Sequence, residues 1–255
     1  AVMSAVRLAR AYTGRDRVAV CGYHGWQDWY IGSTARNRGV PKAVSALTHA
    51  WAYNDLASLK ALFDRHNGEF AAVILEPMNV AAPKAGFLEE LKALTHAHGA
   101  LLVFDETITG FRYANGGAQE LFGVTPDLAT FGKGLANGYP ISAVAGRADV
   151  MKLMEEIFFS FTFGGETLSL AAALATMTKL QTQPVVETVC RQGDKVMRGL
   201  SQLIEKHGAQ SFASVAGHPS WSFFVLADTP EYTSFELKTL FLQEMFARVL
   251  IASVV

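Results

Sequence analysis

Two side chains in this sequence are costly to leave unused. Asp105 closes the apolar run ALLVFD, and Lys133 stands between Gly132 and Gly134 in TFGKGL. An acid at the end of a buried strand and a lysine in a tight turn each lose water without evident compensation, which is a mark of functional sites. A lysine desolvated by such flanks has an amine free to attack carbonyls, whereas a lysine in a glycine turn can equally be a surface residue. Asp105 can cap a turn, or it can pair with a cationic ring nitrogen. Glu76 ends the run AAVILE as Asp105 ends ALLVFD. Tyr23 and His24, in CGYHGWQDW, follow another strand, where a tyrosine can stack on an aromatic ligand; Trp26 and Trp29 read as packing residues. Thr162, with Gly164 and Gly165, precedes a helix opening at Glu166 and Thr167. That arrangement offers a hydroxyl and backbone N–H groups to a phosphate, or is an ordinary N-cap.

The elements that position these residues follow from periodicity. An opening helix puts Val2, Val6 and Ala9 on one face and Arg7 and Arg10 opposite, stops at Gly14, and leads to a strand at Arg17–Cys21. Residues 33–49 show weak periodicity and read as loop. Asn54 or Asp55 caps a helix with Leu56, Leu59 and Phe63 inward, which ends near Asn67 and Gly68. AAVILEP, a helix over 86–98 closed by Gly99, and ALLVFD make strand, helix, strand with apolar runs covered on both faces. This is a βαβ unit of a largely parallel sheet, so Glu76 and Asp105 point at one rim, where open α/β sheets bind ligands. Short strands are expected at Asp127–Phe131 and Ile141–Gly146, with the Lys133 turn between them. Helices follow at Met151–Ile157 and from Thr167 to about Gln183, where Pro184 stops the chain. A charged helix over Val185–His207, a strand in SWSFFVLAD and a helix over Ser234–Arg248 complete the sequence. The expected fold class is α/β with a domain boundary near Pro184, giving residues 1–183 and 184–255.

Of the 255 residues 50% are hydrophobic, and the formal net charge is −1, which argues against a polyanionic partner such as nucleic acid and against disorder. Cys21 and Cys190 form no CxxC pair, which points to a reducing compartment, the cytoplasm, and not to a disulfide framework or a metal site. No apolar run is long enough to cross a bilayer. A first helix without an N-cap and an apolar C-terminus, ARVLIASVV, suggest a piece of something longer.

CGYHGWQDW, AAVILEP, LLVFDETITGFR, GVTPDLATFGKG with NGYPISAVAGR, and FTFGGETLSLAAA stand in the order found in class III pyridoxal-phosphate aminotransferases. The chain most resembles the glutamate-1-semialdehyde aminomutase-like branch. The resemblance covers nearly all of residues 1–183. It implies a fold-type-I transferase in which 1–183 is the large cofactor-binding domain and 184–255 begins the small C-terminal domain. It implies further that Lys133 forms a Schiff base with pyridoxal 5′-phosphate and shuttles the substrate proton. Asp105 would sit against the pyridine nitrogen, Tyr23 would stack on the ring, and Glu76 would support the site. The full candidate set is Tyr23, His24, Glu76, Asp105, Thr107, Lys133 and Thr162, with Lys133 catalytic and no metal. The family threonine matching Thr162 reaches the other subunit's cofactor phosphate, so a homodimer is implied.

Three departures stand out. Thr107 replaces the family's usual valine or isoleucine beneath the ring, which puts a hydroxyl near the cofactor. Ile108 stands where many aminotransferases carry glutamine. GLANGYP and YHGW depart from the aminomutases' more glycine-rich stretch and YHGH-like turn, which favours an aminotransferase acting on an amino acid donor and a carbonyl acceptor. An intramolecular aminomutase is the first alternative, and a truncated relative that only binds or scaffolds is the second. The family's glycine-serine phosphate loop would lie ahead of Ala1.

Overall fold

The computed structural model describes residues 1–248. They divide into two compact units, residues 1–78 with 83–183, and residues 79–82 with the described residues from Pro184 onward. In the first unit α1 (Val2–Thr13) ends at Gly14 and leads into β1 (Arg17–Cys21). The single-turn helices α2 (Asp28–Ile31) and α3 (Lys42–Ser45) precede the short strand β2 (Thr48–Ala50). α4 (Leu56–Arg65) starts on Asp55, whose carboxylate accepts from the N–H groups of Ala57 and Ser58 and so satisfies donors that the first turn leaves open. Then come β3 (Phe70–Leu75), α5 (Phe87–Ala97), β4 (Leu101–Asp105), α6 (Ala118–Phe122) and β5 (Leu128–Phe131). β6 (Ala143–Gly146), α7 (Ala148–Met151) and α8 (Thr167–Thr182) finish the unit.

The six strands lie in the order β2-β1-β3-β4-β5-β6, and all neighbours run parallel except β5 and β6. The central strands are apolar along their whole length because helices cover both faces. Val18, Val20, Ile74, Leu101 and Val103 pack with Ala5, Leu8 and Ala9 of α1. The alternate residues Ala19, Val73, Leu75, Leu102 and Phe104 pack with Leu59 and Phe63 of α4 and with Leu88 and Leu91 of α5. Each such fully buried Leu, Ile or Phe stabilises the fold by on the order of 1.5–3 kcal/mol.

Two polar anchors fix the ends of β4. At its start, buried Asp127 accepts from the Leu102 N–H and from His96 at 2.8 Å each through Oδ2, and from Arg147 at 2.9 Å through Oδ1. Burial alone would raise this carboxyl, but Arg147, the Leu102 amide and His96 hold it below the ordinary aspartate range. After β4, the fully buried Glu106 accepts from the N–H groups of Ala118 and Gln119 at 2.8 Å each and from the Thr109 hydroxyl. It thereby caps α6 from a distance in sequence. Gly117, between them, has a φ of 83°, and a Cβ there would lie 2.5 Å from Glu106 Oε2, so only glycine fits.

The second unit holds α9 (Val185–Lys206), the antiparallel hairpin β7 (Ala213–His218) and β8 (Trp221–Leu226), and α10 (Ser234–Ala247). α10 opens on a capping box of Thr233 and Glu236. Ala213 and Leu226 pack there with Ile204 and Phe241.

Several elements differ from expectation. Residues 33–49 hold α3 and β2, and β2 is a strand because its three residues pair with Val18–Val20 of β1. The helix expected at Met151–Ile157 begins earlier, as α7, and tightens into a 3₁₀ turn at Lys152–Glu155. β7 carries no sustained apolar run and is made a strand by its pairing with β8.

Candidate active site

The carboxyl ends of β1, β3, β4 and β5 share a rim, where the chain, having passed from β1 to β2, crosses back to β3 on the other side of β1. Such switch points are where open α/β sheets bind ligands. A cleft of about 300 Å³ opens there, lined by Tyr23, His24, Glu76, Asp105, Thr107 and Lys133, with Ile108 and Ser142 in its walls.

Asp105, the last residue of β4, is 4% exposed. Its Oδ1 accepts from the Thr107 N–H at 3.1 Å, the Thr107 hydroxyl at 2.5 Å and the Thr130 hydroxyl at 3.0 Å. Thr130 is its direct partner in the register of β4 and β5. Oδ2 lies 2.8 Å from His24 Nδ1. Burial alone would raise the Asp105 carboxyl, yet His24 and Thr107 together hold it below the ordinary aspartate range.

His24 is almost fully buried between Trp29, to which it stacks at 6.5 Å, and the edge of Tyr30. Its Nε2 stands 3.0 Å from the Cys21 carbonyl, which can only accept. The ring thus stands between two acceptors, the Asp105 carboxylate at Nδ1 and the Cys21 carbonyl at Nε2.

Lys133 reaches the cleft from the turn after β5. Its φ of 40° is sparsely populated for any residue other than glycine, and conformations of this kind cost on the order of 1–3 kcal/mol. The turn is held by Leu135 N–H donating to Gly132 O at 2.9 Å and Asn137 N–H donating to Lys133 O at 3.0 Å. Lys133 itself is exposed, in contrast to the desolvation that its apolar flanks suggested, because the turn lies along the open mouth of the cleft.

Tyr23 is 61% exposed on the lip, edge-on to Tyr30 at 5.7 Å. Glu76 is buried just beyond β3, and a Cβ on Gly22 (φ 98°) would lie 3.0 Å from its Oε2, so that position favours glycine. Burial, with Glu76 beside it, pushes the Cys21 thiol up to about 11.

Thr162 is not part of this cleft. It lies exposed on the segment before α8. At the helix start expected there to be phosphate-ready, the Glu166 carboxylate accepts from the N–H groups of Leu168 at 2.6 Å and Ser169 at 2.8 Å. Thr130 is the residue that sequence reasoning missed, and its signal was its position in the strand next to the one that ends at Asp105. Among the described residues no group of three or more His, Cys, Asp or Glu is placed to hold a metal, and no helix is long and apolar enough to cross a membrane. Cys21 and Cys190 are free thiols.

A family model described as aminotransferase class-III matches residues 1–229. A glutamate-1-semialdehyde 2,1-aminomutase of Alkaliphilus oremlandii (strain OhILAs) is 44% identical over 223 residues, covering 80% of this chain and 52% of that protein. A 3-aminobutyryl-CoA aminotransferase of Cloacimonas acidaminovorans (strain Evry) is 38% identical over 211 residues, covering 80% and 50%. Among solved structures, the PLP internal aldimine form of the Sphingopyxis sp. MTA144 FumI protein matches with a TM-score of 0.90 at 29% identity, over 99% of this chain and 61% of that one. The chain spans about half the length of these two curated relatives.

Proposed function

This chain belongs to the class-III aminotransferase family, and from that premise we propose that the protein moves an amino group between an amino acid donor and a carbonyl acceptor, using pyridoxal 5′-phosphate. The observation that carries the reading is the meeting, in one cleft, of the Lys133 amine with the buried Asp105 carboxylate that four protein donors hold in place.

The residues present fit the cofactor. A protonated pyridine nitrogen needs an acceptor that stays ionised out of water, which suits Asp105. An aldehyde needs an amine in the open, which suits Lys133. A flat ring needs a flat wall, which suits Tyr23. When bound, pyridoxal phosphate supplies an electron sink for the charge left as the donor's α-proton departs. Lys133 would hold the cofactor through Nζ, and the same amine would serve as general base for the donor's α-proton. Asp105 would hold the protonated pyridine nitrogen, His24 helps keep Asp105 ionised, and Glu76 would support the wall from the neighbouring strand.

The same reading takes the protein to be a cytoplasmic homodimer in which Thr162 serves the other subunit's cofactor phosphate. Support comes from the free cysteines, from Thr162 not lining its own chain's cleft, and from the neighbouring exposed Phe158, Phe161, Phe163 and Leu168. Residues 1–183 act as the large domain and residues from 184 begin the small one, a division supported by the two compact units. A second reading, an intramolecular amino shift, is favoured by the 44% identical aminomutase.

Adding pyridoxal phosphate to the purified protein should produce an absorbance band in the near ultraviolet or visible that borohydride removes and Lys133→Ala lacks. A protein that stays colourless sinks the cofactor assignment and leaves a binding or scaffolding role. Product formed from a single amino compound with no carbonyl acceptor would favour the mutase.

A further inference from the structure

Asp105 must keep acceptor capacity turned to the cleft although it is buried, and what sets its rotation is a residue outside the expected chemistry. The Thr107 N–H, the Thr107 hydroxyl and the Thr130 hydroxyl all fall on Oδ1, at 3.1, 2.5 and 3.0 Å. Among the described residues Oδ2 has His24 alone, at 2.8 Å. A carboxylate offers about four acceptor positions, two to each oxygen, so Oδ1 is saturated and Oδ2 is not. The shortest of these contacts is the Thr107 hydroxyl, which must donate because its partner is an ionised acceptor. Thr107 also faces the other half of the site, since its Cγ2 stands 3.3 Å from where a Cβ on Gly132 would lie, directly before Lys133. The hydroxyl of Thr107 is therefore turned into the carboxylate, while its methyl lies against the lysine turn.

We propose that Thr107 is a positioning residue, whose hydroxyl locks Oδ1 of Asp105 to the protein and so reserves Oδ2 for His24 and for the ligand in the cleft. The proposal rests on the cofactor reading above, in which that ligand carries a cationic ring nitrogen.

Thr107→Val keeps the methyl and the bulk and removes only the hydroxyl; Thr107→Ser keeps the hydroxyl and removes the methyl. The test titrates the purified protein and both variants with pyridoxal phosphate by absorbance across pH. It also follows the low-field proton resonance of the His24 Nδ1–H in cofactor-free protein. The titratable side chains that line the cleft with Asp105, namely Tyr23, His24, Glu76 and Lys133, are common to all three proteins, so differences report the hydroxyl.

Losing one hydrogen bond to an ionised group should weaken cofactor binding about tenfold in Thr107→Val, move the acid limb of the binding profile up by roughly one pH unit, and shift the His24 resonance. Thr107→Ser should stay within about threefold of the parent. Parental affinity, pH profile and resonance in Thr107→Val would overturn the proposal, as would a Thr107→Ser variant as weak as Thr107→Val, which would assign the effect to the methyl. If Thr107→Val fails to fold, Thr107→Ala takes its place in the same comparison with Thr107→Ser. A parent protein that binds no pyridoxal phosphate would instead refute the cofactor reading, and the resonance shift in cofactor-free protein would still be read.

Discussion

Replacing Asp105 by asparagine tests whether the carboxylate serves the ligand or the fold. Three donors converge on Oδ1, so the asparagine oxygen has to occupy that place and the amide NH₂ has to take the place of Oδ2. There it meets His24 Nδ1, which accepts in the tautomer whose Nε2–H donates to the Cys21 carbonyl. Each of the three bonds to Oδ1 weakens by about 1 kcal/mol when its acceptor becomes neutral. Relief of the several kcal/mol that a buried carboxylate charge spends on desolvation opposes that loss, which leaves the net change in stability within about 2 kcal/mol. The ligand has no such compensation. A charge-assisted bond to a ring nitrogen is replaced by a neutral contact, a loss of about 1.5–3 kcal/mol, or roughly 10-fold to 100-fold in affinity. Pyridoxal phosphate titration and thermal melting, run side by side on Asp105→Asn and its parent, measure both quantities. The carboxyl is held low in the folded protein, so its contribution is complete above the ordinary aspartate range and is lost as pH falls through the depressed value. The acid limb of the parent should accordingly be absent from Asp105→Asn. Affinity within twofold of the parent, or cofactor loss that merely tracks unfolding, refutes the reasoning.

Arg147→Ala leaves buried Asp127 with only His96 and the Leu102 N–H, and should cost about 1–3 kcal/mol in urea denaturation near neutral pH. Asp127 is depressed in the fold, so it stabilises above the ordinary aspartate value and ceases to as pH falls; losing Arg147 lifts its folded value, and the midpoint of acid unfolding should move to higher pH. The homodimer reading predicts complementation: mixed subunits carrying Lys133→Ala and Thr162→Val should regain one full-affinity cofactor site, because Lys133 and Thr162 of that site come from different chains. Binding as weak as in the Thr162→Val homodimer would place both residues in one chain.

The parallel sheet was legible because its strands carry the pattern that two-sided burial demands. AAVIL and LLVF alternate nothing, and each is followed at once by an acid. Where the pattern is carried by a partner and not by the strand itself, sequence was silent: β2 is defined by its register with β1, and β7 by its register with β8. α6 was equally hidden, since its cap comes from Glu106, which is 12 residues away from Ala118.

The cleft shows the same division between residues and wiring. Tyr23, His24, Glu76, Asp105, Thr107 and Lys133 could be assigned to one rim because strand ends of a parallel sheet point one way. What joins them could not. The His24 to Asp105 contact spans 81 residues and the Thr130 contact 25, and both depend on strand order and register, which no local pattern encodes. Thr107 is the instructive case. As a departure from the family's valine or isoleucine it was expected to put a hydroxyl near the cofactor, but the carboxylate two positions earlier is a strong acceptor already out of water, and the hydroxyl turns to it. A polar side chain beside a buried charge is recruited by that charge first, and its effect on a ligand is then felt through the charge.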